Sequence, residues 1–360
     1  MKSDIVQKQF ALRGRGAASN PQIRFDQLGR VAFDDGWDLD EPLPVLRTSV
    51  QDDVAKTIIT RNTSPDLSFD RSINMYRGCE HGCVYCFARP SHAFWGYSAG
   101  LDFETRLIAK PNAASLLRKE LNNPRYEPRM IAIGTNTDAY QPIEKEREIM
   151  RSVLKVLAEF NHPVGIVTKG SLITRDMDIL APMAAKGLLR VGVSVTTLDR
   201  DLSRKMEPRV PSPAARIRTI RELSEAGIPV RVMVSPVIPA LTDHELEAIL
   251  QAAKRAGAIA ASSIILRLPR EVAPLFTEWL ETHYPDRAAR VMGRVRAFHG
   301  GKDYDPAFGK RFTGQGEWAR LMQQRFRLSC SKFGLARDLP PLRTDLFAVP
   351  PKPGDQLSLF

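Results

Sequence analysis

Residues 73–94 read INMYRGCEHGCVYCFARPSHAF, and within them Cys79, Cys83 and Cys86 form the pattern C-x3-C-x2-C. The pattern follows directly on a short apolar run at 72–76, so the cysteines fall at the end of an expected β-strand. Three thiolates at this spacing in one loop can reach three corners of a cubane iron–sulfur cluster, leaving the fourth iron open to a substrate or cofactor. Gly78 and Gly82 permit the tight backbone path that such a loop needs. Zinc is the competing reading, with His81, His92 or Cys330 closing a tetrahedron around the three cysteines. Structural zinc sites, however, usually come as paired C-x2-4-C knuckles, and no second knuckle is present.

Outward from the cysteines, short apolar runs recur at 130–135, 164–168, 190–196, 230–238 and 263–268. Between them lie helical stripes such as Ile149, Val153, Val156, Leu157 and Phe160, then Ile217, Ile220 and Leu223, then Leu246, Ile249, Leu250 and Ala253. Asp243 fits near the start of the last stripe and Gly257 fits its C-terminal stop. Six β runs alternating with helices predict an α/β fold with parallel strands. Six units fall short of a closed eightfold barrel, so the expectation is a partial (βα)6 TIM-like barrel with its chemistry at the C-terminal strand ends. The expected organisation is an irregular N-terminal extension (1–70), the barrel (71–285), a basic helical segment (286–337) and a flexible Pro-rich tail (338–360).

The 360 residues include 52 Lys and Arg against 41 Asp and Glu, a formal charge of +11 that favours polyanionic partners. Residues 1–70 carry 9 basic and 11 acidic side chains, whereas 286–343 carry 13 basic and 5 acidic, so the excess is local. In that segment Phe298, Tyr304, Phe308, Phe312 and Trp318 interleave with Arg and Lys, a composition suited to unpaired or flipped nucleic acid, or to an ordinary amphipathic cap. No apolar run reaches the length of a membrane span, and the first residues hold no apolar secretory core. The expected setting is a reducing cytoplasm, away from the membrane.

C-x3-C-x2-C after the first strand of a partial barrel, with Tyr85 before the third cysteine, resembles the radical S-adenosylmethionine (SAM) superfamily. The longer string RGCEHGCVYCFARPSHAF is similar to the branch of spore photoproduct lyase and its DNA repair photolyase-like relatives, over about 72–268. The resemblance implies a [4Fe–4S] cluster whose open iron binds the methionine end of SAM. It also implies a low-potential electron donor such as flavodoxin or ferredoxin, and a 5′-deoxyadenosyl radical that takes hydrogen from the substrate. The cofactor-binding residues it implies are Tyr85, Thr135 and Asp138 in the GTNTD string at 134–138, Lys169 for the methionine carboxylate, and Ser194. The run 234–239 is similar to the segment that packs near the adenine, while Arg209 and Arg216 read as a solvated helix face.

Two departures stand out. The lyase carries its hydrogen-donor cysteine in a Cys-Thr-Ser-Asp-like string, where this chain has Thr135-Asn136-Thr137-Asp138. The lyase tyrosine after the third cluster cysteine is here Phe87. Both changes point to another substrate or another way of quenching the radical. Cys330 falls on a stripe with Trp318, Met322, Phe326 and Phe333 and reads as a buried, inert thiol. Gln356, Leu357, Ser358, Leu359 and Phe360 match the pentapeptide with which bacterial proteins dock on the replication sliding clamp. The sequence thus reads as a radical SAM enzyme acting on DNA, in lesion repair or modification. The alternatives are RNA or protein as substrate, or a non-enzymatic zinc-bound nucleic-acid or clamp adaptor.

Overall fold

The computed structural model describes residues 14–26 and 46–351. Among the described residues, ten strands form two sheets: β1 (Ser49–Asp52), β2 (Ile59–Arg61), β3 (Arg71–Ile73), β4 (Tyr76–Arg77), β5 (Arg106–Ala109), β6 (Ile131–Ile133), β7 (Val164–Thr168), β8 (Leu189–Ser194), β9 (Val230–Val237) and β10 (Ala260–Ile265). The larger sheet has the order β10-β9-β8-β7-β6-β3-β2. Its six strands from β3 to β10 are parallel neighbours, and β2 is added antiparallel to β3. This is the six-stranded open barrel that the alternation of β runs and helices implies.

The outward face of each strand supplies the core. Ile131, Ile133, Val164, Ile166, Val191, Val193, Val230 and Val232 are all buried against the crossover helices. The helix Ile149–Glu159 buries Val153, Val156 and Leu157, and the helix Leu246–Arg255 buries Leu246, Ile249, Leu250 and Ala253, the stripes read from the sequence. Within the barrel, Ala132 pairs with Gly165 and Val167 with Gly192, so small residues alternate with larger ones such as Met130 and Met233.

Three differences from the sequence reading have local causes. The first apolar run splits, with β3 entering the barrel and β4 joining a second sheet of order β1-β5-β4. That sheet grips both ends of the cysteine loop, because β4 precedes the loop and β5 follows it. The last barrel strand lies earlier than the run 263–268, at Ala260–Ile265, because Leu266 and Leu268 instead fill a second core with Phe276 and Trp279. The N-terminal extension is not wholly irregular, since it contributes β1 and β2.

The open side of the barrel is closed by segments outside it. Ala336 bridges to the free edge of β10, accepting from Ala261 N at 2.8 Å and donating to Ile259 O at 2.9 Å. On the other side, Asp66 from the β2–β3 loop accepts from Gly309 N at 2.8 Å and from Arg311 Nε at 2.7 Å. Between these, Phe312 O accepts from Ile265 N at the end of β10, at 3.3 Å. The basic segment comprises the helices Pro285–Phe298 and Gly316–Phe333 and the loop between them. On the second helix Met322 and Cys330 are buried, but Trp318 leaves the expected stripe and stacks under Arg294 at 3.9 Å.

Gly134 ends β6 with φ 86°, and a Cβ there would stand 1.9 Å from Val167 O. Gly134→Ala should therefore lower the thermal unfolding midpoint. The left-handed backbone alone costs about 1–2 kcal/mol, and the overlap with β7 adds to it. An unchanged midpoint would show that the β6–β7 contact can relax.

Candidate active site

Cys79, Cys83 and Cys86 lie in the loop between β4 and β5, the first two buried and the third partly so. The loop folds on itself through Gly82 N to Cys79 O at 3.3 Å and Cys86 N to Cys83 O at 3.2 Å. Its shape is set from within by Arg89, which is fully buried. Arg89 donates to Cys83 O at 2.9 Å, Gly82 O at 3.2 Å, Ala99 O at 3.1 Å and Gly100 O at 2.9 Å, and forms an ion pair with Glu104. Glu104 in turn accepts from Gly16 N and Ala17 N, both at 2.9 Å. Gly82 sits at φ 65°, and a Cβ on it would lie 2.7 Å from the Glu104 carboxylate.

Two further carboxylates brace the loop. Asp138, at the end of the GTNTD string, accepts from Thr168 Oγ1 at 2.6 Å, Lys169 N at 2.7 Å and Tyr140 N at 2.9 Å, and meets His81 Nδ1 at 3.3 Å. Burial works against its ionisation, but His81 and these donors prevail and hold it at about 2. Its carboxylate is thus engaged within the protein, tying β6 and β7 to the residue between Cys79 and Cys83. Glu207 accepts from the Tyr85 hydroxyl, from Thr196 Oγ1 at 3.0 Å and from Arg216 at 2.8 Å. Arg216 also donates to Ser194 O at 3.2 Å and to Ser203 Oγ at 2.9 Å. Arg216 is fully buried, which overturns its reading as a solvated helix face. Arg209 pairs with Glu80 at 3.1 Å, so it too is drawn into the loop.

Lys169 lies one residue beyond β7, with Nζ 5.7 Å from the centre of the Tyr85 ring. Burial by itself would lower its pKa. The charges of Cys83, Glu207, Cys86 and Asp138 outweigh that and raise it, so the ammonium stays protonated at the cysteine loop. The Cys83 thiol is pushed up to about 12 by burial, against the pull of Lys169. Such a thiol becomes a ligand when a bound cation compensates its charge. Thr135 lines the inner face of the barrel with Val167 and Gly192. Ser194 is buried, at the C-terminal end of β8. Tyr85, Lys169 and Asp138 therefore gather at the cysteine loop, while Thr135 follows β6 and Ser194 ends β8. The pentapeptide at 356–360 lies outside the described residues.

The sequence reading did not single out Arg89, Glu104 or Glu207, and it named His81 only as an alternative zinc ligand. A signal existed for Arg216: with Ile220 and Leu223 it follows the i, i+4, i+7 spacing of a buried stripe.

Among the described residues, no group of three or more His, Cys, Asp or Glu side chains is arranged to hold a single metal ion. A cubane offers a separate iron to each thiolate, so its ligands need not converge on one point, whereas mononuclear zinc requires that they do. The cysteine loop fits a cluster. The family model described as the Radical SAM superfamily matches residues 73–253. The chain belongs to the radical SAM superfamily. Its relatives include an uncharacterised protein of Mycobacterium tuberculosis, 34% identical over 277 residues, which are 76% of this chain and 78% of that one. An uncharacterised protein of Methanocaldococcus jannaschii is 31% identical over 174 residues, 48% of this chain and 62% of that one.

Among solved structures, spore photoproduct lyase complexed with dinucleoside spore photoproduct superposes with TM-score 0.58 at 17% identity, over 80% of this chain and 81% of that one. A double mutant of that lyase with bound AdoMet and dinucleoside spore photoproduct gives 0.59 at 16%, over the same shares. The likeness establishes a common fold. The [4Fe–4S] cluster and SAM are the cofactors of this enzyme, and Cys79, Cys83 and Cys86 are the residues that would hold the cluster. Together they supply reductive cleavage of the sulfonium and a 5′-deoxyadenosyl radical that abstracts hydrogen. The chain's own share is a rigid, partly desolvated loop with a protonated lysine beside it.

Arg89→Met leaves Glu104 buried without its counter-ion, a loss of about 3–5 kcal/mol of stability. The expected result is a lower unfolding midpoint together with less iron bound per chain after anaerobic reconstitution. Wild-type iron content would show that the loop keeps its shape without the pair.

Proposed function

We propose that this radical SAM enzyme takes hydrogen from DNA, in the repair or modification of a lesion. The observation that carries the proposal is the joining of a lyase-like barrel to a basic, aromatic segment at its mouth, where Phe312 and Arg311 reach the end of β10. The solved relative holds a dinucleoside photoproduct in the same fold. Within the site, Lys169 is proposed to pair with the methionine carboxylate, and Tyr85, Thr135 and Ser194 to shape the cofactor pocket. Asp138 is proposed to serve by positioning His81 and the backbone of Lys169.

The chemistry is proposed to differ from that of the lyase in how the hydrogen is returned. Thr135 to Asp138 contain no thiol, Phe87 follows the last cluster cysteine, and Cys330 is buried in the main core. Among the described residues no other cysteine exists outside the cluster loop. Residues 356–360 are proposed to dock on the bacterial sliding clamp, with Leu357, Leu359 and Phe360 as apolar anchors and Gln356 as the directional amide. A flavodoxin or ferredoxin would supply the electron, in a reducing cytoplasm. No helix among the described residues is long and apolar enough to cross a membrane.

Dithionite reduction of the reconstituted protein with SAM should release 5′-deoxyadenosine, and Cys79→Ala, Cys83→Ala or Cys86→Ala should abolish it. Damaged DNA should raise the yield; stimulation by RNA or a protein instead would redirect the substrate assignment. Lys169→Met should weaken SAM binding about tenfold, or ~1.4 kcal/mol, with iron content unchanged. Equal affinity would remove Lys169 from the cofactor pocket. Deleting 356–360 should abolish clamp binding while leaving SAM cleavage intact, and clamp binding that survived would end the recruitment proposal.

A further inference from the structure

Phe87, the residue after Cys86, begins a ladder of alternating rings and guanidinium groups that runs outward from the cysteine loop. The Arg267 guanidinium carbon lies 4.3 Å from the centre of Phe87 and 4.5 Å from that of Phe312. Arg311 lies 4.8 Å from Phe312 and 4.9 Å from Phe308. The outermost ring, Phe308, is 61% exposed, and Phe87 is 45% exposed. The two arginines differ in their partners. Arg311 is fixed by Asp66 at 2.7 Å, which locks the ladder in place. Arg267 has no carboxylate partner among the described residues, and its polar neighbour is Tyr304. With Phe87 and Phe312 against it and Tyr304 engaging one donor, its remaining N–H groups are the part left to meet an anion. Lys310, between Phe308 and Arg311, is exposed and also forms no ion pair among the described residues.

We propose that this ladder is a platform for single-stranded DNA, with Arg267 receiving a phosphate beside the cluster loop and Phe308 stacking an unpaired base. The proposal rests on the DNA reading above and specifies the form in which DNA is presented. An intact duplex hides its base faces and offers phosphates alone. Exposed phenyl faces are wasted on it, whereas unpaired bases can stack on them. The alternation of ring and cation matches the alternation of base and phosphate along one strand.

The test is fluorescence anisotropy on the reconstituted full chain with a short labelled single strand, its duplex, and the RNA of the same sequence. The single DNA strand should bind most tightly. Phe308→Ala should weaken its binding roughly five- to tenfold, leave duplex binding unchanged, and be rescued by Phe308→Trp. Because Phe308 is exposed, iron content and unfolding midpoint should match wild type. Arg267→Met should shallow the salt dependence by about one phosphate contact. Unchanged single-strand affinity in Phe308→Ala, or tighter binding of the duplex or of RNA, overturns the platform. If wild type still binds duplex DNA with a steep salt dependence, the DNA reading survives that failure. If wild type binds no nucleic acid, the DNA reading falls as well.

Discussion

The buried ion pair between Arg89 and Glu104 is the interaction on which the cysteine loop depends. A guanidinium has five N–H donors, and here they serve four backbone carbonyls and one carboxylate. Two of those carbonyls belong to Gly82 and Cys83 and two to Ala99 and Gly100, so one side chain spans the loop from its ligands to its far end. Stripping water from each charge costs several kcal/mol, which this pair recovers because nearly every donor and acceptor finds a partner. The gain is less in stability than in definition.

That pair is one of three buried carboxylates that hold the loop from different sides. Glu104 ties it to the N-terminal segment at Gly16 and Ala17, Asp138 ties it to the ends of β6 and β7 through His81, and Glu207 ties Tyr85 to Arg216 and β8. Glu104 and Glu207 are each matched to an arginine and Asp138 to His81 and three further donors, as groups removed from water must be. Lys169 is left among Cys83, Glu207, Cys86 and Asp138 with its positive charge raised in pKa rather than suppressed. The proposed pairing of Lys169 with the methionine carboxylate would need such a cation, and its neighbours keep it charged.

The barrel and the cysteine loop were legible because they rest on local pattern. Apolar runs and helical stripes repeat at fixed spacing, and three cysteines in eight residues admit few roles. The bracing residues were not legible, because their partners are distant in the chain: Glu207 meets Tyr85 across 122 positions, and Glu104 meets residues 16 and 17 across 88 and 87 positions. A charged side chain reads as solvated until its counter-ion is known to share its burial. The limits of β10 were misread for a related cause. Ala260, Ala261, Ser262 and Ser263 lack a strand's apolar signature, and their places in the sheet are fixed by pairing with β9.

The same dependence on distant partners explains why the basic segment sits where it does. An open barrel leaves β10 with an unpaired edge, which demands cover. Ala336 supplies backbone bonds along that edge, and the Asp66–Arg311 pair joins the β2–β3 loop to the segment that crosses the end of β10. Closing the barrel therefore brings Phe312 and Arg311 to its mouth, beside Arg267 and the residue that follows the last cluster cysteine. Charge that would be diffuse on a free helix is held in one register by an architectural bond. A ladder fixed in this way would lose little side-chain entropy when a ligand arrives, so the residues that close the barrel are also those proposed to hold the single strand.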